Sequence, residues 1–272
     1  MIKNKKCLIF GGAGSIGSEL CRQLEKQNKV YIFDIDETRT FDLMEELHVE
    51  GKTGDIRDKE SVNESIKKFA PDIIFHAAAY KHVSPSMKNP KEYIQTNILG
   101  TINVLNCAKE SLVKKLINVS TDKVVKADNI MGATKRVAEF LTRIYGYVSV
   151  RFGNVLGSRG SVLPIWQRQM DRGEPLTVTD SNMTRFMMTI QEACELLISA
   201  AEIGMPNDIL IMDMGEKVNI LSLAKDILKK AGKSENIKMI GIRPGESLTE
   251  ELMNEQERST AIKKDKFWIL HG

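Results

Sequence analysis

Short apolar runs alternate with stretches of helical spacing through the first half of the chain. Residues 6–10 form an apolar run that Gly11 closes, and residues 15–26 then place apolar side chains on one helical face. Strands that alternate with helices form a parallel sheet with right-handed crossovers. The repeated pattern predicts further strands at 30–33, 73–76, 115–120 and 147–152, and helices at 59–69, 91–110 and 132–145.

The pattern changes after residue 152, where the segment NVLGSRGS gathers small residues and an arginine. Helices at 162–172, 190–202 and 221–230 and brief strands at 176–178, 209–212 and 238–242 are predicted beyond it. We therefore predict an α/β fold with a Rossmann-type doubly wound parallel sheet over residues 1–152. A smaller C-terminal substrate-binding cap is predicted over residues 153–272, interleaved with the sheet domain in one continuous unit.

Composition narrows the partners and the compartment. The 272 residues are 42% hydrophobic and 28% charged, as in a globular enzyme, and no His or Cys spacing predicts a metal site. The net charge is only +3, with basic and acidic residues interleaved, so we expect no nucleic-acid partner. No apolar run approaches the roughly 18 residues of a bilayer span, so we expect no membrane segment. Four well-separated cysteines predict a reduced, cytoplasmic protein.

Three glycines stand between the first predicted strand and its helix. Gly11, Gly14 and Gly17 allow a tight turn, close approach of the backbone to a pyrophosphate, and close packing of the helix on the strand. The helix start at Ser15 and Ile16 offers free N–H groups and the positive end of the helix dipole. This spacing predicts a dinucleotide site.

Asp34 ends the second predicted strand, where a carboxylate can accept hydrogen bonds from both ribose hydroxyls of a dinucleotide. Its charge repels the 2′-phosphate of NADP, so the sequence favours NAD. The alternative is that Asp34 caps a helix before Glu37.

Two further segments are candidates for the cofactor site. Asp55 and Ile56 follow a short third strand and are placed to reach the adenine, unless they form a simple turn. The side chains of Ala77, Ala78 and Ala79 at the end of the 73–76 strand are too small to block a cofactor.

The motifs GGAGSIG, GDI, HAAA, STDK and MGATK resemble those of the extended short-chain dehydrogenases/reductases. The stretches AAAYKHV, STDKVV, MGATKRVAEF, VRFGNVLGSRGSV, MTRF and RPGE are similar to one branch of that superfamily. This branch is the soluble catalytic domain of nucleotide-sugar 4,6-dehydratases of bacterial polysaccharide biosynthesis. The resemblance runs from Lys6 to about Met253, and it implies NAD as the cofactor and UDP-N-acetylglucosamine as the usual substrate.

The resemblance implies a reaction with an internal redox cycle. Hydride leaves carbon 4 of the sugar for NAD⁺, water is eliminated across carbons 5 and 6, and hydride returns to carbon 6. By resemblance, Lys123 is the base at carbon 5 and Asp122 protonates the departing hydroxyl, with Thr121 beside them at the strand end. The alternative for Asp122 and Lys123 is a surface ion pair after a strand.

Met131 departs from the usual pattern of the superfamily, which has a tyrosine four residues before the active-site lysine. The resemblance still implies that Lys135 holds the nicotinamide ribose. Because methionine cannot take a proton, the 4-hydroxyl must lose its proton to a water, to Asp122, or to Thr121 acting as a relay. A branch of the dehydratases is similar in having methionine here, and the alternative is an NAD-binding protein without turnover.

The predicted cap loops carry candidates for the two phosphates of a UDP-sugar. Guanidinium groups and free helix N–H groups are the usual partners of diphosphates, although a loop arginine can equally be solvated. These phosphate and sugar candidates are Asn154, Arg159, Ser161, Val162, Arg185 and Arg243.

Of the four remaining candidates, three have two interpretations each. Glu246 contacts the uridine ribose or pairs with Arg243, and Lys81 and His82 border the sugar, although His82 can equally be structural. Asn97, a candidate for the cofactor site, lies in a predicted helix, where the resemblance implies an asparagine that stabilises the active-site bend. The alternative for Asn97 is a surface amide.

The sequence thus predicts an NAD-dependent UDP-N-acetylglucosamine 4,6-dehydratase that yields a UDP-4-keto-6-deoxy-N-acetylhexosamine. A UDP-sugar 4-epimerase on the same fold and a non-catalytic NAD-binding scaffold are the alternatives. Apolar positions in the predicted helices 91–110 and 132–145 exceed what one sheet face can cover, so we expect a homo-oligomer.

Overall fold

The computed structural model describes residues 2–272, which form a large sheet with helices on both faces and three small two-stranded sheets. The strands are β1 Lys6–Phe10, β2 Lys29–Asp34, β3 Glu50–Thr53, β4 Ile73–His76, β5 Lys115–Val119, β6 Val148–Arg151, β7 Asn154–Val155, β8 Leu176–Val178, β9 Thr184–Arg185, β10 Met187–Met188, β11 Ile209–Met212, β12 Val218–Asn219, β13 Ile237–Met239, β14 Ile262–Lys264 and β15 Phe267–Leu270. The α-helices are α1 Ser15–Leu24, α2 Glu37–Leu47, α3 Lys59–Phe69, α4 Val83–Lys88, α5 Pro90–Ile94, α6 Thr101–Glu110, α7 Ile130–Ile144, α8 Val162–Asp171, α9 Ile190–Ile203, α10 Ile220–Lys230 and α11 Glu255–Thr260.

The large sheet confirms the predicted doubly wound α/β fold. Its nine strands among residues 2–272 run in the order β14-β15-β11-β6-β5-β4-β1-β2-β3, and all neighbours from β11 to β3 are parallel. The strand order reverses between β1 and β4, and ligands of such sheets bind at this reversal, beyond the carboxyl ends of the strands.

Alternation along β1 explains why both faces of the sheet carry helices. Cys7 and Ile9 pack with residues of α1 and α9, whereas Leu8 and Phe10 pack with residues of α3 and α6. All four side chains are fully buried. A strand that is apolar on both sides is typical of a parallel sheet between two helical layers.

The strand predicted at 209–212 extends the large sheet, which corrects its placement in the cap. Its four side chains are buried, and β11 pairs in parallel with β6 and antiparallel with β15. Trp166 centres a separate small core between α8, β8 and α10. The division at residue 152 stays a prediction about domains, but strands from both sides of it share one sheet.

The helix predicted over 91–110 is interrupted. Pro90 opens α5, a π-helical turn follows over Gln95–Gly100, and α6 begins at Thr101. Such π-turns are frequent at functional sites. Within residues 2–272, no helix is both long enough and apolar enough to cross a membrane.

Candidate functional site

A cleft of about 740 Å³ lies at the carboxyl ends of β1, β2, β4, β5 and β6. Its wall includes most of the residues that the sequence predicts for cofactor and substrate. Six predicted residues do not line it: Asn97, Asp122, Val162, Arg185, Arg243 and Glu246.

The glycine turn forms one end of this cleft. Gly11 has φ +78°, and a Cβ there would lie 2.5 Å from the main-chain nitrogen of Ala78. A Cβ at Gly17 would collide with the carbonyl oxygen of Gly11. Gly14 leaves the start of α1 without a side-chain cap, and the first turn of α1 has no acidic residue. The open helix start is therefore suited to the phosphates of a dinucleotide.

Asp34 lies on the cleft wall at the end of β2. Its carboxylate accepts hydrogen bonds from the main-chain N–H groups of Ala13 and Asp36, both at 2.9 Å. Burial raises the pKa of Asp34, although these hydrogen bonds oppose the shift. Asp36, and not Asp34, caps α2 by accepting from the Arg39 N–H, so the capping alternative for Asp34 is wrong.

Two further segments predicted for the cofactor, Asp55–Ile56 and Ala77–Ala79, also line the cleft. The Asp55 carboxylate pairs with Arg57 at 2.6 Å, and Ile56 is buried against Gly100 of the π-turn. Ala77, Ala78 and Ala79 line the cleft beside the glycine turn, where the main chain of Ala78 packs against Gly11.

Asn97 supports this wall from behind. Its amide oxygen accepts from the Tyr80 N–H at 2.8 Å, and its amide nitrogen donates to the Tyr80 carbonyl and the Thr134 hydroxyl, both at 3.0 Å. The side chain is 1% exposed, so it is not a surface amide. These hydrogen bonds make Asn97 a support of the loop that follows β4.

Lys135 and Met131 lie one turn apart on α7, and both line the cleft. The Asn129 side chain fixes the start of α7 by accepting from the Gly132 N–H at 2.8 Å. The Lys135 ammonium donates to the Val119 carbonyl at 2.5 Å, and burial lowers the pKa of Lys135 to about 8.

Thr121, Asp122 and Lys123 follow β5 as a linked unit. The Thr121 hydroxyl donates to Asp122 Oδ1 at 2.9 Å, and Lys123 Nζ donates to the same oxygen at 2.8 Å. Lys123 Nζ also donates to Asn154 Oδ1 at 3.2 Å. The Asp122 side chain is fully buried and its Oδ2 has no hydrogen-bond partner, so this is not a surface ion pair. Thr121 and Lys123 face the cleft in front of Asp122.

Glu250, which no sequence motif indicates, lies beside this unit. Its Oε1 is 3.9 Å from Lys123 Nζ, and its side chain is 6% exposed. Burial raises the pKa of Glu250. A single glutamate in the polar stretch SLTEE gives no sequence signal of its own, because its neighbour Glu251 has the same chemistry.

Arg159 lies nearer the glycine turn than the sequence suggests. Its guanidinium donates to the Ala13 carbonyl, and its N–H donates to the Ser15 hydroxyl at 3.0 Å. Lys81 Nζ donates to the Ser158 hydroxyl at 3.2 Å in the same loop, and burial lowers the pKa of Lys81.

Ser161 stands on the cleft wall at the N-cap position of α8, without a side-chain capping hydrogen bond. Its hydroxyl is buried without a hydrogen-bond partner, and α8 has no acidic residue in its first turn. Val162 is the first residue of that helix and lies behind the cleft wall. His82 packs against Gly160, where a Cβ would lie 2.6 Å from the imidazole, and burial lowers the pKa of His82.

Arg185 lies outside the cleft wall. Its guanidinium is buried and donates to the carbonyls of Thr184, Ser247 and Leu248 at 2.7–3.0 Å. These contacts engage three of the five guanidinium N–H donors and make Arg185 an anchor of the 247–248 loop, while its phosphate contact stays a prediction.

Arg243 and Glu246 lie outside the cleft wall on the loop after β13. Their charged atoms are 3.8 Å apart, which favours the ion-pair alternative for Glu246. Glu246 Oε2 is nevertheless buried without a partner, whereas the Arg243 side chain is 46% exposed. The described residues contain no cluster of three or more His, Cys, Asp or Glu side chains that could hold a metal ion.

The sheet order, the glycine turn and the polar strand ends together define an α/β protein with the fold of the extended short-chain dehydrogenases/reductases. A family model described as "Polysaccharide biosynthesis protein" matches residues 7–271, and the chain belongs to that family.

Three similar proteins illustrate the range of relatives. Capsular polysaccharide biosynthesis protein CapD of Staphylococcus aureus is 42% identical over 279 residues, covering 94% of this chain and 46% of that protein. UDP-glucose 4-epimerase of Rickettsia typhi is 34% identical over 279 residues, covering 96% of this chain and 81% of the epimerase. The X-ray structure of Pen from Bacillus thuringiensis has a TM-score of 0.93 at 35% identity, covering 99% and 88% of the two chains. This chain spans about half the length of the first curated relatives that it matches.

Proposed function

We propose that this chain is an NAD-dependent 4,6-dehydratase that converts UDP-N-acetylglucosamine to a UDP-4-keto-6-deoxy-N-acetylhexosamine. One observation carries the proposal. A lysine amine on the cleft wall, Lys123, hydrogen-bonds to the buried carboxylate of Asp122, which also accepts from Thr121. Such a unit provides the acid and the base that elimination of water requires on one hexose ring.

The residues of the cofactor end fit NAD. The glycine turn leaves no room for a Cβ at Gly11 or Gly17, and the start of α1 has no side-chain cap. Asp34 lies at the end of β2, which is the position that holds the ribose in dinucleotide-binding folds. Lys135 lines the cleft and is the candidate for the nicotinamide ribose. When bound, NAD supplies the acceptor for the carbon 4 hydride and the donor that returns it to carbon 6.

Thr121 and Asp122 take the proton of the 4-hydroxyl in place of the missing tyrosine. The Thr121 hydroxyl faces the cleft and donates to Asp122 Oδ1 at 2.9 Å. It can therefore accept the sugar proton while it passes its own proton to the carboxylate. Asp122 then holds the proton that the departing carbon 6 hydroxyl needs, so the relay and the acid step use one proton.

Lys123 removes the carbon 5 proton after carbon 4 has become a ketone, because the ketone stabilises the resulting enolate. Its Nζ donates to Asp122 Oδ1 and Asn154 Oδ1, which occupy two donor positions of a neutral amine. The nitrogen lone pair then remains for the substrate. Lys123 returns a proton to carbon 5 when the product forms.

The proposed diphosphate site is the start of α8, where the Ser161 hydroxyl lacks a partner and Gly160 adopts φ +70°. Helix N-termini are suited to phosphate groups. Arg243 and Glu246 are proposed to contact the nucleotide from the cap loop, and the unpartnered Glu246 Oε2 supports a ribose contact. Lys81 and His82 border the sugar in this proposal.

The second candidate function is a UDP-sugar 4-epimerase, which the 34% identity to the Rickettsia typhi enzyme favours. An epimerase uses the 4-ketone but eliminates no water. A non-catalytic NAD-binding protein, the third alternative, is favoured by Met131 alone.

Mass spectrometry of the purified protein with UDP-N-acetylglucosamine distinguishes these functions. The dehydratase yields a product that lacks one water. An epimer has the mass of the substrate and a changed NMR spectrum, and an unchanged substrate with NAD bound supports the non-catalytic alternative or another UDP-sugar.

We also propose that the chain forms a homo-oligomer through α7 and the neighbouring π-turn. The apolar side chains of Val137, Phe140 and Ile144 on α7 are exposed. Leu99 in the π-turn and Ile94 directly before it are exposed as well. α7 packs against both α5 and the π-turn, and a contiguous apolar surface formed there would mark a protein interface.

A further inference from the structure

Glu250 lies in the loop between β13 and α11, outside every motif that the sequence analysis identified. Its carboxylate points toward the acid–base unit, with Oε1 3.9 Å from Lys123 Nζ. The side chain is 6% exposed, so this carboxylate is largely removed from water. Buried carboxylates need a partner charge or hydrogen bonds, and Lys123 is the basic side chain that lies nearest to the Glu250 carboxylate in this pair.

A buried arginine fixes the chain just before Glu250. The Arg185 guanidinium donates to the Ser247 carbonyl at 2.7 Å and to the Leu248 carbonyl at 3.0 Å. Charged donors form strong hydrogen bonds with carbonyls in a buried environment. Arg185 therefore holds the main chain that presents the glutamate.

The residues before and after the glutamate are also held by hydrogen bonds. Lys217 Nζ donates to the Thr249 hydroxyl at 3.0 Å and to Glu251 Oε1 at 2.6 Å. Arg151 donates to the Leu252 carbonyl at 2.9 Å. Three cations thus anchor this stretch, and the carboxylate between the anchored residues is directed inward to Lys123.

The charges that face Glu250 come from three other segments. Burial raises the pKa of Glu250, the positive charges of Lys123 and Arg185 lower it, and the negative charges of Asp122 and Asp128 raise it. Lys123 is the largest of these electrostatic influences.

The proposed proton route leaves Lys123 without its counter-ion at a critical moment. Asp122 becomes neutral when it takes the 4-hydroxyl proton through Thr121. Lys123 becomes an ammonium in the following step, when it takes the carbon 5 proton. An ammonium that forms in a buried site beside a neutral carboxylic acid needs another negative charge close by.

We propose that Glu250 is a positioning residue that supplies the counter-charge for the Lys123 ammonium while Asp122 is protonated. In the step concerned, the Lys123 nitrogen forms an N–H bond with the carbon 5 proton, and the electrons of the broken C–H bond enter the enolate of the 4-ketone. The charge of Glu250 does not change. This inference rests on the proposed function.

The pH dependence of Lys123 acetylation in the substrate-free protein tests this role without turnover. Acetic anhydride reacts with the neutral amine, and mass spectrometry of the Lys123 peptide gives the pH midpoint. Glu250→Gln removes the charge but keeps the shape, so we expect the midpoint to fall by about one pH unit or more. We expect a larger fall in an Asp122→Asn background, which imitates the protonated acid.

Glu255→Gln is the matched control, because Glu255 is an exposed glutamate at the start of α11 and takes no part in anchoring Glu250. Its acetylation midpoint should equal that of the wild type. Glu250→Asp keeps the charge and should retain part of the effect. Equal midpoints for Glu250→Gln and the wild type in both backgrounds overturn the proposal, since a purely structural glutamate would not alter the proton affinity of Lys123.

Turnover then separates the two proposals. If the wild type dehydrates the sugar, Glu250→Gln should lower kcat about tenfold or more, with KM and NAD affinity much less affected. An unchanged kcat in that variant overturns the role of Glu250 alone. An inactive wild type overturns the proposed function, while the acetylation midpoints still report whether Glu250 acts on Lys123.

Discussion

Arg151 and Glu139 form a buried ion pair in which guanidinium Nη2 lies 2.5 Å from carboxylate Oε1. Glu257 of α11 binds the same guanidinium at 2.9 Å, and the Ser120 hydroxyl donates to the second oxygen of Glu139 at 2.6 Å. This network joins β6, α7 and the C-terminal segment directly behind the end of β5.

Glu139→Gln should destabilise the protein, because it removes one carboxylate from an arginine that cannot reach water. We expect the free energy of unfolding to fall by about 3 kcal/mol in urea denaturation. Glu235→Gln, which breaks the exposed pair with Lys225, is the control and should change stability by less than about 1 kcal/mol. Equal small effects for both variants would show that the buried network contributes nothing specific.

Asp34→Ala should weaken NAD binding without creating affinity for NADP. The change removes the proposed ribose acceptor and the carboxylate that orders Ala13 and Asp36. Loss of a hydrogen bond to a charged group costs about 1.5–3 kcal/mol, so we expect roughly a 10- to 100-fold weaker Kd by calorimetry. Asp58→Ala removes the equivalent cap of α3 outside the cleft wall and serves as the control, with NAD affinity nearly unchanged. Wild-type NAD affinity in Asp34→Ala refutes the ribose contact.

The stability of the protein should depend on pH through Lys135. Burial lowers the pKa of Lys135 from its usual 10.5 to about 8 in the folded protein. Between these values the unfolded chain binds the additional proton, so stability rises with pH across this window. Relative to Lys135→Met, the wild type should gain about 3 kcal/mol between pH 8 and 10.5.

Urea denaturation at several pH values measures this difference. Lys229→Met, at an exposed position of α10, is the control and should follow the wild type at every pH. A constant difference between wild type and Lys135→Met over the window contradicts the lowered pKa.

Phe140→Asp should reduce the oligomer to a smaller species, because it places a charge in the proposed apolar interface. Light scattering after size-exclusion chromatography measures the mass. Phe41→Asp is a close match, since Phe41 of α2 is 59% exposed and Phe140 is 54% exposed. The proposal is wrong if the two variants and the wild type have the same mass.

Local motifs were predictable because adjacent residues alone determine their backbone conformation. The glycine turn and β1 follow from a few adjacent residues, and their positions agree with the sequence. Asp34 could be placed at the end of β2 for the same reason. The π-turn around Asn97 could not be predicted, because it depends on hydrogen bonds from that side chain to Tyr80 and Thr134.

Contacts between segments that are distant in sequence leave no periodic pattern of residues. The features that the sequence did not predict depend on contacts of this kind. The stretch MTRF predicts Arg185 as a phosphate ligand. In the fold, its guanidinium donates to three main-chain carbonyls, two of which lie in the distant 247–248 segment. Glu250 reaches Lys123 only because the loop before α11 returns to the end of β5. The sequence of β11 predicts a short strand but not its sheet, because only the pairing with β6 places it in the large sheet.

The most direct test of the proposed dehydratase follows the carbon 5 hydrogen in deuterated water. Wild-type protein with UDP-N-acetylglucosamine should give a product that lacks one water and carries a deuteron at carbon 5, by mass spectrometry and proton NMR. Lys123→Ala should bind NAD and the UDP-sugar yet form no such product. Full turnover by Lys123→Ala, or a wild-type product with the mass of the substrate, contradicts the proposal.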